Sequence, residues 1–203
     1  MYKRQTSGTV SYNGEDVWAE NYNRRALRSE VGLVFQYPEH QLFESDVLSD
    51  VCFGPMNQGK SREEAEEEAK KALLQVGFKE KNFKKSPFDL SGGQKKRVAI
   101  AGVLAMNPKI LILDEATAFA DPDNEAKVQK AFTKLSAGKT VIMIAHRLSS
   151  VVDADCICVL KDGGIVEQGN HETLLAQGGL YAHMWEAYNK SVSWKVGKGE
   201  VLE

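Results

Sequence analysis

Cysteines and long apolar runs are scarce in this sequence, and each scarcity excludes a class of protein. Among 203 residues there are three cysteines, which cannot form the paired framework of a small disulfide-stabilised secreted domain. No apolar run approaches the ~20 residues that a membrane-spanning helix needs. Residues 1–4 also lack the apolar stretch of a signal peptide. The sequence therefore predicts a cytoplasmic chain, unless a partner holds it at a membrane.

An excess of either charge is also missing. The sequence has 26 Lys and Arg residues against 28 Asp and Glu residues, a formal net charge of −2. This balance gives no reason to expect nucleic acid as a partner. A chain of 203 residues with 42% hydrophobic residues can bury a sizeable core. We expect one domain over residues 1–190, followed by a polar C-terminal tail over residues 191–203.

The stretch from Leu90 to Asp121 carries the most specific chemistry. It opens with Leu90-Ser91-Gly92-Gly93-Gln94, in which two glycines follow a serine at a predicted helix start. The first amides of a helix lack intrahelical partners, and the helix dipole favours negative charge beside them. This segment therefore predicts a site for an anion such as a phosphate.

Two adjacent carboxylates follow a predicted strand in the same stretch. Ile110–Leu113 is a continuous aliphatic run, which predicts a strand buried on both faces of a parallel sheet. Asp114 and Glu115 then fall at its carboxyl end, where open α/β sheets bind ligands. Asp114 suits Mg²⁺, held directly or through water, and Glu115 is suited to polarise an attacking water. A phosphate site and a metal-and-base pair in one stretch indicate nucleotide hydrolysis.

Two other aliphatic runs predict further buried strands. Val31–Phe35 is followed directly by Gln36, and Thr140–Ile144 is followed shortly by His146. A polar residue at a strand end is usually structural when it stands alone.

Residues 54–61 match the phosphate-loop pattern G-x-x-x-x-G-K-[ST], but their context argues against a phosphate cradle. A phosphate loop follows a buried strand, whereas Ser49–Phe53 does not read as one. Pro55 lacks the backbone N–H that a cradle would use. Ser61 is already explained by a capping box with Glu64, which opens an acidic helix that Gly77 ends. We therefore predict that residues 54–61 are not a phosphate loop.

The sequence Cys156-x-Cys158 places two cysteines on one face of a predicted hairpin strand, whose turn is Asp162-Gly163-Gly164. One interpretation is a redox or metal pair, and the other is two small buried hydrophobes. We favour the second, because no further Cys or His is spaced to complete a site.

Taken together, these motifs resemble the ATPase subunit of ATP-binding-cassette transporters; the residues that carry the resemblance are Gln36, Leu90–Gln94, Asp114, Glu115 and His146. The resemblance implies an α/β fold of the P-loop NTPase type, with a parallel-sheet core and a helical subdomain at about residues 40–90. It implies ATP and Mg²⁺ as cofactors and ATP hydrolysis coupled to transport. Two partners are implied, a second cassette and a membrane-spanning subunit that would hold the chain at the inner face of the cell membrane.

The resemblance also assigns roles by position. Catalytic positions are those of Glu115, Gln36 and the switch histidine His146, and metal positions are those of Asp114 and Gln36. ATP-binding positions are those of Ser91, Gly92, Gly93, Gln94 and Asp121. The loop before Asp121 departs from the family's Ser-Ala-Leu-Asp, because this chain has Ala118-Phe119-Ala120-Asp121, so only Asp121 carries over securely.

Two further departures concern the whole chain. In the family, the phosphate loop, its strand and an adenine-stacking aromatic residue precede the segment that resembles Thr6–Gly14, so we expect a chain that lacks its N-terminal strands and phosphate loop. Val31 to about Met106 resembles energy-coupling-factor importer ATPases, and the sequence from Asp114 onward resembles cassette exporters. The changeover within Ala99–Leu113 is consistent with a chimera. The expected activity is impaired; the alternatives are a non-catalytic module that completes a partner's ATP site, or a non-functional chimeric fragment.

Overall fold

The computed structural model describes residues 8–114, 138–145 and 147–197, with side chains up to residue 191. The chain divides into two compact units, Met1–Ile144 and Ala145–Glu203. The described strands are β1 (Ser11–Tyr12), β2 (Glu15–Asp16), β3 (Val31–Val34), β4 (Ile110–Asp114), β5 (Thr140–Ile144), β6 (Ile157–Lys161) and β7 (Gly164–Gly169). The described α-helices are α1 (Arg24–Glu30), α2 (Val47–Asn57), α3 (Arg62–Gln75), α4 (Gly92–Ala105), α5 (His171–Gln177) and α6 (Leu180–Gly197).

A parallel sheet forms the centre of the first unit. Its described strands follow the order β3-β4-β5, with Val31 opposite Ile110 and Ile110 opposite Thr140. Helices α2, α3 and α4 pack together, and α4 packs against β3, around a buried cluster that includes Val34, Leu111 and Leu113. The predicted α/β fold with a parallel-sheet core and neighbouring helices is confirmed.

The prediction that the strands are buried on both faces is wrong. Leu111 and Leu113 are 0% and 1% exposed, whereas Ile142 of β5 is 50% exposed and Leu33 of β3 is 37% exposed. The reason is that the packed helices lie on the face of Leu111 and Leu113, and none of the described elements of the first unit covers the opposite face. The aliphatic run therefore marks the strand correctly but overstates its burial.

Helix α3 forms as its sequence predicts. Ser61 and Glu64 make the reciprocal capping box, and Glu66 pairs with Arg62 at 3.0 Å and with Lys70 at 3.5 Å. The buried positions of the helix are Ala65, Ala69, Ala72 and Leu73. Gly77 follows the helix with φ +71°, a left-handed conformation that glycine adopts without a Cβ penalty.

The second unit contains the hairpin β6–β7 and the helices α5 and α6. Asp162 and Gly163 have φ values of 51° and 82°, as the turn of a two-residue hairpin requires. Ile157 and Val159 are buried with Leu174 and Tyr181, which lie on the two helices. Helix α6 continues to Gly197, so the predicted boundary at residue 191 falls inside this helix. None of the helices in the described ranges is long and apolar enough to cross a membrane.

Candidate functional site

The Ser91–Gln94 segment opens helix α4 with a capping box. The Ser91 hydroxyl accepts a hydrogen bond from the Gln94 amide at 3.4 Å, and the Gln94 side-chain oxygen accepts one from the Ser91 amide at 3.0 Å. This reciprocal pair holds the start of the helix without using the next two amides. Among the described residues, the amides of Gly92 and Gly93 have no hydrogen-bond partner.

The same segment is open to an approaching ligand. Ser91 and Gly92 are exposed, and a Cβ placed on Gly92 would meet no atom within 4 Å. The unpaired amides lie at the positive end of the helix dipole. The helix start can therefore accept an anion without rearrangement of the backbone.

Arg97 anchors this helix start, a role that the sequence analysis missed. Its Nη1 donates to the Gly77 carbonyl oxygen at 3.2 Å, so α4 is tied to the end of α3. Burial lowers the pKa of the Arg97 guanidinium, and its Nε is buried without a partner in the described part of the chain. In the sequence, Arg97 belongs to a basic run that follows the two glycines. Such a run does not show which basic side chain faces solvent and which one holds two helices together.

Gln36 and Asp114 share the carboxyl edge of the sheet. Val34 of β3 pairs with Leu113 of β4, so Asp114 ends β4 just where the chain leaves β3 toward Gln36. Asp114 is half-buried and lies opposite Ile144, the last residue of β5. Because β4 is hydrogen-bonded to a strand on each side, the position of Asp114 is fixed by the sheet.

The predicted site residues Glu115, Asp121 and His146 lie outside the described residues, so their roles stay predictions. In the sequence, Glu115 directly follows β4 and His146 follows β5 after Ala145. No group of three or more His, Cys, Asp or Glu side chains suited to a metal ion occurs in the described ranges. Asp114 is a described carboxylate at the carboxyl edge of the sheet that could serve as one oxygen ligand of a metal ion.

Residues 54–61 are not built as a phosphate loop. Gly54 and Pro55 belong to helix α2, and Ser61 caps α3. The Gln58 amide donates to the Gly54 carbonyl oxygen at 3.2 Å, and the Lys60 ammonium group lies 3.7 Å from Glu68. The segment is thus a helix end followed by a helix start, as predicted.

An exposed group of aromatic residues follows Gln36. This aromatic patch consists of Phe43 and Phe53, each about half exposed, whose rings meet edge to face at 4.8 Å. Tyr37 is also about half exposed, and its ring stacks on His40. The amide of Phe43 donates to an Asp50 carboxylate oxygen at 2.8 Å, which fixes the loop before α2.

Comparison with known proteins identifies the family. The family model described as ABC transporter matches residues 1–118. Curated relatives include the energy-coupling factor transporter ATP-binding protein EcfA2 of Streptococcus pyogenes serotype M5 (strain Manfredo) and that of serotype M1. Each is 46% identical over 179 residues, which is 86% of this chain and 64% of the relative. The chain therefore spans 64% of the length of these relatives.

A solved structure of a bacterial Atm1-family ABC exporter with ATP bound also matches, with a TM-score of 0.73 and 34% identity over 90% of this chain and 32% of that chain. Energy-coupling-factor and exporter relatives both match, as the motifs predicted. The family match covers more than half of the 203 residues and includes Gln36, the Ser91–Gln94 segment and Asp114. This chain belongs to the ABC transporter family of ATP-binding proteins.

Proposed function

We propose that this chain is an ATP-binding and ATP-hydrolysing subunit or domain that energises transport across a membrane. The observation that carries the proposal is the start of α4, where the capping box leaves the amides of the exposed Gly92 and the half-buried Gly93 available to an anion. ATP is the proposed ligand because the chain belongs to a family of ATP-binding transport proteins.

The Ser91–Gln94 segment would bind phosphate oxygens through three donors. The amides of Gly92 and Gly93 point away from the helix, as the first amides of any helix do. The Ser91 hydroxyl accepts a hydrogen bond from the Gln94 amide, and its own hydrogen remains available to donate. Arg97 keeps this helix start in place through its bond to Gly77.

The strand ends would supply the metal and the hydrolytic groups. Asp114 is the proposed Mg²⁺ ligand, with Gln36 beside it at the carboxyl edge of the sheet. When bound, Mg²⁺-ATP supplies the phosphoanhydride bond whose cleavage drives transport. Glu115 is proposed to orient and polarise a water molecule, His146 to contact the terminal phosphate, and Asp121 to contact the partner cassette.

Residues 1–203 are proposed to hydrolyse ATP weakly by themselves. Their single match to the phosphate-loop pattern spans the end of α2, a short turn and the cap of α3, and the Lys60 ammonium group lies 3.7 Å from Glu68. We infer that Ser91, Gly92 and Gly93 complete an ATP site whose phosphate loop belongs to a partner cassette. In the second candidate function, the chain is a non-catalytic module that only completes the ATP site of its partner. A non-functional chimeric fragment would neither hydrolyse ATP nor complete a partner's site.

A membrane-spanning subunit is the second proposed partner. The aromatic patch of Phe43 and Phe53 gives that subunit an exposed apolar surface. Exposed clusters of this kind favour protein contacts, and aromatic residues are enriched in the cores of interfaces. This contact would hold the chain on the cytoplasmic face of the membrane.

The decisive experiment mixes residues 1–203 with a phosphate-loop-containing cassette whose own Ser-Gly-Gly segment has been disabled. We expect ATP hydrolysis only when both proteins are present. Glu115→Gln in this chain should leave that stimulation intact if the chain only completes the partner's site, whereas Gly92→Asp should abolish it. Multiple-turnover hydrolysis by residues 1–203 alone, abolished by Glu115→Gln, would contradict the proposed weak activity.

The membrane partner is tested by capture of the membrane-spanning subunit with the aromatic patch altered. Phe43→Ser together with Phe53→Ser should abolish capture. Phe88→Ser is the matched control, because Phe88 is also exposed but lies outside the patch. Equal loss of capture in the control would contradict the assignment of the patch.

A further inference from the structure

Two cysteines lie on the outer face of the hairpin β6–β7. Cys156 and Cys158 are both exposed. Ile157, which lies between them, and Val159, which follows Cys158, are buried. Cys156 directly precedes β6, and the alternation of side chains from it through Ile157 and Cys158 turns both thiols away from the core. The interpretation of these cysteines as buried hydrophobes is wrong, because the alternate residues Ile157 and Val159 occupy the buried face of β6.

Gln168 shows that the two thiols share one small area of surface. It lies directly opposite Cys158 in the register of the hairpin, and its Nε2 donates to the Cys156 sulfur at 3.4 Å. The Gln168 side chain therefore reaches from the position opposite Cys158 to the sulfur of Cys156. Desolvation, followed by the adjacent Cys156 thiol, raises the pKa of Cys158. The Cys158 thiol is accordingly protonated at neutral pH.

The spacing of the pair favours a bridging atom over a disulfide. Residues i and i+2 of a strand are separated by about 6.6 Å, with their Cβ atoms on the same face. A disulfide needs Cβ atoms only about 3.5–4.5 Å apart. A direct bond between these sulfurs would distort the strand, whereas one atom bonded to both sulfurs lengthens the link and relieves that strain.

We propose that Cys156 and Cys158 form a dithiol site for a thiophilic ion or metalloid that bonds two sulfurs, of which trivalent arsenic is the representative. Sulfur ligands select soft metals over Mg²⁺ or Ca²⁺. A structural zinc ion would need four ligands, and the described residues offer no group of three or more suitable side chains. Two sulfurs are sufficient for an organoarsenical, whose third bond is to carbon.

Binding of phenylarsine oxide at this site is a condensation without oxidation. The two S–H bonds break, two As–S bonds form, and the arsenic-bound oxygen leaves with both protons as one water molecule. Arsenic remains trivalent, and both sulfurs keep their oxidation state. No further reagent is required.

The test is intact-mass analysis of the full chain after treatment with one equivalent of phenylarsine oxide. We expect one adduct with the loss of one water, stable to excess monothiol and released by a dithiol. Cys156→Ser and Cys158→Ser should each lose this monothiol-resistant adduct, whereas Cys52→Ala should keep it. Retention of the adduct in either serine variant would overturn the proposal.

Peptide mapping of the unaltered chain gives a second test that needs no variant. Phenylarsine oxide should protect Cys156 and Cys158 from alkylation together, and addition of a dithiol should restore their reactivity. Cys52 is buried in α2 and serves as the internal control, with no change in alkylation. Protection of one cysteine of the pair without the other would overturn the proposal of a two-sulfur site.

Discussion

The substitution Gly92→Asp separates the stability of helix α4 from its ability to bind an anion. A Cβ placed at Gly92 would meet no atom within 4 Å, so the position has room for the start of an aspartate side chain. A negative charge in the first turn of a helix contributes about 0.3–1 kcal/mol through the helix dipole. We therefore expect the free energy of unfolding to stay equal or to rise.

The same carboxylate would repel a bound phosphate. Two unit charges 4 Å apart interact by about 1 kcal/mol in water and by about 4 kcal/mol near a protein surface with an effective dielectric constant of 20. Because 1.4 kcal/mol is tenfold in an equilibrium constant, ATP affinity at this helix start should fall at least about fivefold. Stimulation of the partner cassette should fall with it.

Gly92→Ala is the matched control at the same position. Alanine removes the conformational freedom of glycine, which stabilises a compatible site by about 0.4–1 kcal/mol, and adds no charge. Urea unfolding followed by circular dichroism measures stability, with separate transitions allowed for the two compact units. ATP hydrolysis by the partner cassette measures function. If aspartate and alanine affect stimulation equally, the anion assignment is refuted, and if both destabilise the chain, the helical geometry at Gly92 is refuted.

Three further substitutions test the packing and the electrostatics of the first unit. Ser61→Ala removes the cap of α3 and should lower the free energy of unfolding by about 1 kcal/mol in urea titrations, whereas an unchanged value would contradict the cap. Gly32→Ala places a Cβ 2.7 Å from Val103 Cγ1 and should cost about 1–3 kcal/mol by overpacking, so an unaltered melting temperature would count against this close approach. Hydrogen bonds from Lys109, and to a lesser extent from Tyr12, lower the pKa of Glu30 in the folded chain. The ionised Glu30 therefore contributes its full stabilisation above the ordinary glutamate pKa. That contribution is lost as the pH falls through the lowered pKa of the folded chain. Below about pH 4.3, the free energy of unfolding of the wild type should therefore fall relative to that of Glu30→Gln. If the two free energies depend on pH in the same way, ionised Glu30 does not contribute to stability.

The candidate site was predictable where its signals are local in sequence. A helix start after Ser91 was predicted from the local sequence, and the structure confirms that α4 begins there, with a capping box between Ser91 and Gln94 that was not predicted. Asp114 falls at the end of β4 because the aliphatic run stops there. The assignment of the family likewise depended on short motifs, and the family match confirms it. The roles of Glu115, Asp121 and His146 remain predictions.

Sequence alone determined the features that depend on neighbours within a few residues, such as the turn at Asp162-Gly163 and the caps of α3 and α4. Tertiary structure decided which face of each strand is covered. Ile142 is as apolar as Leu111, yet it is half exposed because the helices pack on the other face of the sheet. The Cys156 and Cys158 thiols face outward for the same reason. Periodicity shows which residues share a face, but only distant segments of the chain can bury that face, and their positions are not encoded in local spacing.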